Sequence, residues 1–150
     1  MLQSGDRPLT DEGIAQLRRQ FKGLRELEPT IDAILTSPLV RAAQTADLLA
    51  SACDGKPPIT VTAALRPEAD ASEILAELSA FVRASGVALV GHEPSIGVIA
   101  GAVLGVRRPF PFKKGGVCRI DVNAFPPVRP GELIWFLAPR VLRAMSGAHR

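Results

Sequence analysis

The sequence predicts a layered α/β domain, and three observations carry the prediction. Amphipathic helical stretches alternate with short apolar runs, the pattern of helices packed on a sheet. Two of those runs, Ile31 to Thr36 and Val87 to Val90, break into an abrupt turn and then a helix. Each of these strand–turn–helix units carries a basic residue at or just past its turn, Arg41 in the first and His92 in the second. In an open α/β sheet, ligands bind at the carboxyl ends of the strands, and the free amides of a helix N-terminus favour an anion there. His92 is one of two histidines; the other, His149, stands next to the last residue.

The elements follow in order. Thr10 reads as an N-cap, with Asp11 and Glu12 in the first turn, where the helix dipole favours acids. Ile14, Leu17, Phe21, Leu24 and Leu27 then fall on one face at helical spacing, until Pro29 closes the segment. After the strand over Ile31 to Thr36, Ser37-Pro38 reads as N-cap and first helical residue, with Leu39, Ala43, Ala46 and Ala50 on the buried side. Arg41, Gln44 and Thr45 share another face. Lys56-Pro57-Pro58 is a linker, and Ile59 to Leu65 a strand near an edge. Asp70 with Glu73 forms a capping box for a helix burying Ile74, Leu75, Leu78, Phe81 and Val82.

Gly86 leads into Val87 to Val90, four apolar residues that read as a fully buried strand. Pro94 opens the next helix, in which Gly97 and Gly101 stand one turn apart and allow close packing on the sheet. Gly115-Gly116 turns the chain into Val117 to Val122. A proline-rich loop, Pro126 to Gly131, then leads to a last strand over Glu132 to Leu137. Pro139 to Met145 forms a short terminal helix.

Composition narrows the function. The chain has 150 residues, which suits one domain over residues 1–150. It is 47% hydrophobic and 22% charged, as ordinary globular proteins are. The net charge is +3, but Lys and Arg are scattered and tyrosine is absent, so a solvated basic surface is expected rather than nucleic-acid binding. Cys53 and Cys118 offer neither a disulfide framework nor metal-ligand spacing, and no metal or cofactor is expected. Met1 to Pro8 has no signal-peptide core, and Ile96 to Val106 is too short to span a bilayer. A cytoplasmic protein with no membrane association is therefore expected.

Taken singly, an arginine early in a helix reads as surface, and a histidine after a buried strand as structural. Two such turns in one chain point to a phosphate site. Arg41 offers a permanently charged, bidentate contact, helix amides add donors, and His92 can donate to a phosphoryl oxygen.

Asp6-Arg7-Pro8-Leu9-Thr10-Asp11-Glu12-Gly13, then Thr36-Ser37-Pro38-Leu39-Val40-Arg41-Ala42-Ala43-Gln44-Thr45-Ala46, then Val90-Gly91-His92-Glu93-Pro94 resemble the histidine phosphatase superfamily. Within it the chain is most similar to the short bacterial phosphohistidine phosphatases, a likeness extended by Leu137-Ala138-Pro139-Arg140-Val141-Leu142. The resemblance implies a three-layer α/β/α fold of the phosphoglycerate mutase type, with a mainly parallel central sheet. It implies that Arg41 and His92 belong to a phosphate pocket, and that phosphohistidine or a small phosphoester is dephosphorylated through a phosphohistidine on the enzyme, without a metal. Phosphate, a phosphorylated protein or a phosphorylated small molecule is then the expected partner.

The chain departs from the family at one place. The nucleophilic histidine belongs to an Arg-His-Gly or Arg-His-Ala motif that ends a first strand ahead of the segment matching Asp6 to Gly13, and this sequence carries no such motif. The expectation is that the natural protein starts further upstream. The alternatives are a catalytically inactive relative that still binds phosphate or a phosphoprotein, or a gap filled by another segment or chain. The resemblance is taken to place that first strand between Ile31–Thr36 and Val87–Val90, so that its absence leaves open edges prone to self-association. The proton donor stays open among Glu68, a candidate acid that also reads as an exposed loop residue, Asp70, which reads as a cap, and Glu93. Arg108, Lys113 and Lys114 are candidates for the entrance, against a plain basic surface.

Overall fold

The protein is described by a computed structural model covering residues 7–112 and 115–147. Helix α1 (Asp11–Arg25) begins where Thr10 Oγ1 accepts from the Gly13 N–H at 3.0 Å, with Asp11 and Glu12 in its first turn and Lys22 and Arg25 in its last. It leads to strand β1 (Ala33–Thr36), all four residues of which are buried, Ile34 and Leu35 completely. Helix α2 (Val40–Ala52), strand β2 (Ile59–Val61), helix α3 (Ala71–Glu77) and strand β3 (Val87–Val90) follow. Helix α4 (Ser95–Leu104), an antiparallel pair β4 (Val117–Asp121) and β5 (Glu132–Leu137), and helix α5 (Pro139–Met145) complete the chain.

The fold is a mixed α/β domain built on a parallel sheet of order β2-β1-β3. The strand order expected from the resemblance is corrected here. No strand lies between β1 and β3: they pair directly, Ala33 with Val87 through Thr36 with Val90, and the ladder continues at both ends through Asp32 N–H to Gly86 O and Ser37 N–H to Val90 O. Among the described residues, the other side of β3 has no strand partner, and β4 pairs with β5 alone. An edge strand leaves half its backbone polar groups without a ladder partner and has no neighbour on that side to cover its side chains. Accordingly Val87 to Val90, expected to be fully buried, are each half-buried.

Two cores flank the sheet. On one face Phe21, Leu24, Ile34, Ala46, Leu49, Ala50 and Leu142 pack together, and side chains of β3 (Ala88, Val90), β4 (Val117) and β5 (Trp135, Leu137) lean on them. Leu35, Ala64, Leu65, Ala71, Ile74, Leu78 and Ile99 form the other. Ile34 and Leu35 thus feed opposite cores, as the twofold alternation of a strand requires.

Other expectations are corrected locally. The run Ile59 to Leu65 is a strand only to Val61; Thr62 Oγ1 accepts from the Ala64 N–H and turns Ala63–Leu65 into a short 3-10 helix. The capping box at Asp70 and Glu73 is present, but α3 tightens into a 3-10 turn at Leu78–Phe81, and Val82 is left 67% exposed. In α2 the buried side is Ala42, Ala46, Leu49 and Ala50 rather than the stripe through Leu39 and Ala43. Gly97 and Gly101 do not meet the sheet. A Cβ on either would stand 2.3 Å from Phe110 O or 2.4 Å from Arg108 O, so the segment after α4 returns across its glycines. Cys53 and Cys118 are free thiols, half-buried; burial raises Cys53 and pushes Cys118 up to about 11. Among the described residues, no helix is long and apolar enough to cross a membrane.

Candidate functional site

Parallel pairing of β1 and β3 with Thr36 opposite Val90 brings the two strand–turn–helix units side by side. The turn after β3 is held by the Ile96 N–H donating to His92 O at 2.7 Å and by the Gly97 N–H donating to Glu93 Oε1 at 3.0 Å. Glu93 therefore caps α4, satisfying an N–H the helix cannot satisfy itself. Ser95 Oγ donates to Pro67 O and ties the loop carrying Glu68 onto the same turn.

The turn after β1 differs from its sequence reading. Helix α2 starts at Val40, not at Pro38, and Leu39 is its N-cap without a side-chain bond. Ser37, completely buried, does not cap the helix. Its Oγ accepts from the Leu39 N–H at 3.2 Å and lies 2.8 Å from His92 Nε2. A serine at a strand end two residues before a free amide forms its own local turn instead. That hydroxyl is the site residue the sequence reading missed, and the Thr-Ser-Pro ending of β1 is the signal that could have found it.

Arg41 sits in the first turn of α2 at this end of the sheet. Its Nε is buried and has no hydrogen-bond partner, which is costly for a cationic donor and unusual in a folded protein. The segment before α1 is fastened nearby, the Leu9 N–H donating to Gln44 Oε1 at 2.6 Å. Arg41 and His92 thus stand on adjacent strand-to-helix connections, as the sequence indicated. Glu68 is exposed and paired with Arg66 at 3.5 Å, and its charge reaches His92. Asp70 is occupied as the cap of α3. Arg108 is exposed; Lys113, Lys114 and His149 lie outside the described residues. Among the described residues no group of three or more His, Cys, Asp or Glu could hold a metal ion. A cleft of about 530 Å³ lies at the opposite end of the sheet, lined by residues including Arg25, Asp32 and Cys53.

Burial lowers the His92 pKa from its ordinary 6.5, and the Glu68 carboxylate opposes that shift. The unfolded chain therefore takes up a proton more readily than the fold. His92 begins to cost stability as pH falls through 6.5, and the cost is complete below the lowered native value. His92→Gln removes this penalty, so its stability should fall less steeply than that of the parent as pH drops below 6.5; a steeper fall contradicts the assignment. Glu68→Gln should lower the His92 midpoint further in an NMR titration, and a raised midpoint would show that Glu68 does not act on the ring.

Comparison with known proteins bears on the fold. Residues 1–71 match the sequence model of the histidine phosphatase superfamily (branch 1). An uncharacterized protein of Picosynechococcus sp. (strain PCC 7002) is 39% identical over 103 residues, 67% of this chain and 62% of that protein, so the match spans less than two thirds of the relative. Among solved structures, the protein histidine phosphatase SixA complexed with tungstate superposes with a TM-score of 0.83 at 22% identity, covering 95% of this chain and 90% of that one. A SixA-type protein from Nakamurella multipartitia gives 0.76 at 22% identity, covering 93% and 88%. At such identities the structural likeness establishes the fold alone. The chain thus has the fold of the SixA structures, and just under half of it, residues 1–71, is similar in sequence to the histidine phosphatase superfamily.

Proposed function

We propose that the sheet end carrying Arg41 and His92 holds the phosphoryl group of a phosphohistidine or a small phosphoester. In this reading the chain supplies the phosphate-binding side of a phosphatase that works through an enzyme phosphohistidine and needs no metal. One observation carries the reading: a buried guanidinium nitrogen without a partner, on the connection next to a histidine at the carboxyl end of a parallel sheet. An oxyanion satisfies that donor and places negative charge where charge develops during phosphoryl transfer. The tungstate bound to SixA, a tetrahedral oxyanion like phosphate, supports the same chemistry here.

A second reading uses the same site: a chain that binds phosphate or a phosphoprotein without turning it over. Both readings require tungstate to stabilise the protein. Ligand at about 100 times its Kd adds about 2.7 kcal/mol, roughly 5–10 °C in a domain of this size. A flat melting temperature removes both. Release of phosphate from a phosphohistidine peptide then selects the phosphatase, and its absence the binding module. Self-association would run through the edges of β3 and β4 that have no partner among the described residues. A monomer at every concentration in gel filtration removes that part of the proposal.

A further inference from the structure

We infer that Ser37 is a positioning residue that fixes His92 as the tautomer protonated at Nδ1. The argument is one of hydrogen-bond accounting. A serine hydroxyl has one proton to give and two lone pairs to receive. The Leu39 N–H already donates to Ser37 Oγ, so one lone pair is used. If His92 Nε2 also donated, the second lone pair would be used and the hydroxyl proton would have no acceptor in a completely buried position. Among the described residues, His92 Nε2 is the one acceptor that the hydroxyl meets. An unmade hydrogen bond there is the expensive alternative. The hydroxyl therefore donates to Nε2, and the neutral ring carries its proton on Nδ1. The lowered pKa of the ring agrees with a neutral imidazole.

Binding follows from the tautomer. A neutral imidazole has one N–H and one lone pair, and only the N–H attracts an anion. With Nε2 occupied by Ser37, Nδ1–H is the remaining donor, and it meets no acceptor among the described residues. In the opposite tautomer Nδ1 would offer a lone pair instead of that donor. This consequence, unlike the tautomer itself, rests on the phosphate reading above.

Nitrogen-15 NMR of the histidine-labelled protein distinguishes the tautomers directly, with His92→Gln assigning the signals against His149. The free parent protein should show His92 protonated at Nδ1, and a ring protonated at Nε2 overturns the inference. Ser37→Ala should shift the ring toward the Nε2–H form that imidazole prefers in water, while Ser37→Thr, which keeps the hydroxyl, should restore Nδ1–H. A merely structural role would leave the tautomer unmoved in both variants, and that result also overturns it. Tungstate titration separates the two claims. Ser37→Ala should weaken tungstate by about tenfold, the loss of one hydrogen bond to a charged group. If the parent shows the Nδ1–H form but never binds tungstate, the phosphate reading fails and the role of Ser37 stands.

Discussion

Replacing Arg41 by Met should make the protein more stable without anion and abolish its stabilisation by tungstate. The two effects have one cause. Arg41 Nε is buried and unpaired, so the free protein carries a desolvation penalty of about 1–3 kcal/mol, part of which an apolar side chain of similar length recovers. Once an oxyanion is bound, the same nitrogen becomes a charge-assisted donor, and the penalty turns into binding energy. Melting curves of parent and variant should therefore cross as tungstate is added. If the chain turns over a phosphorylated substrate, the rate should fall by about 10²–10³, the usual effect of removing one donor to developing oxyanion charge. Parallel melting curves, with the variant losing stability at every tungstate concentration, would show Arg41 to be a structural side chain.

The second large effect concerns the scaffold. Gly23→Ala, in the last turn of α1, should destabilise the protein by about 2–3 kcal/mol, near the upper range for overpacking. Helix propensity alone argues the reverse, since alanine gains up to about 1 kcal/mol over glycine inside a helix. The contact decides the sign. A Cβ at Gly23 would stand 1.8 Å from Leu142 O and 2.7 Å from its carbonyl carbon, both backbone atoms that no rotamer change can move. Leu142 is itself completely buried against Phe21 and Leu24, so α5 must withdraw and open that core. Urea unfolding should show a lowered midpoint with an unchanged slope. A raised midpoint would mean that α1 and α5 do not pack this closely.

Much of this was legible from residue patterns. The start of α1 at Thr10, the strand Glu132–Leu137 and the helix Pro139–Met145 stand where capping chemistry, apolar runs and proline placed them. Arg41 and His92 were legible as a pair because the strand–turn–helix pattern occurs twice. What remained hidden was what covers each apolar face. The four residues of β3 look alike in sequence to a central strand, and only the pairing shows that, among the described residues, one edge has no partner. Gly97 and Gly101 signalled a close approach correctly, but the approaching backbone, at Phe110 and Arg108, is local rather than the sheet. Ser37 satisfied every rule for a helix cap, yet its hydroxyl went to a histidine 55 residues away, a contact no local pattern contains.

The most direct measurement is the anomalous scattering of tungsten in crystals of this protein soaked with tungstate. A single strong peak should lie within hydrogen-bonding distance of the Arg41 guanidinium and the His92 imidazole. Full occupancy elsewhere with none at that end of the sheet, or no ordered tungsten at all, would contradict the phosphate site on which the functional reading rests.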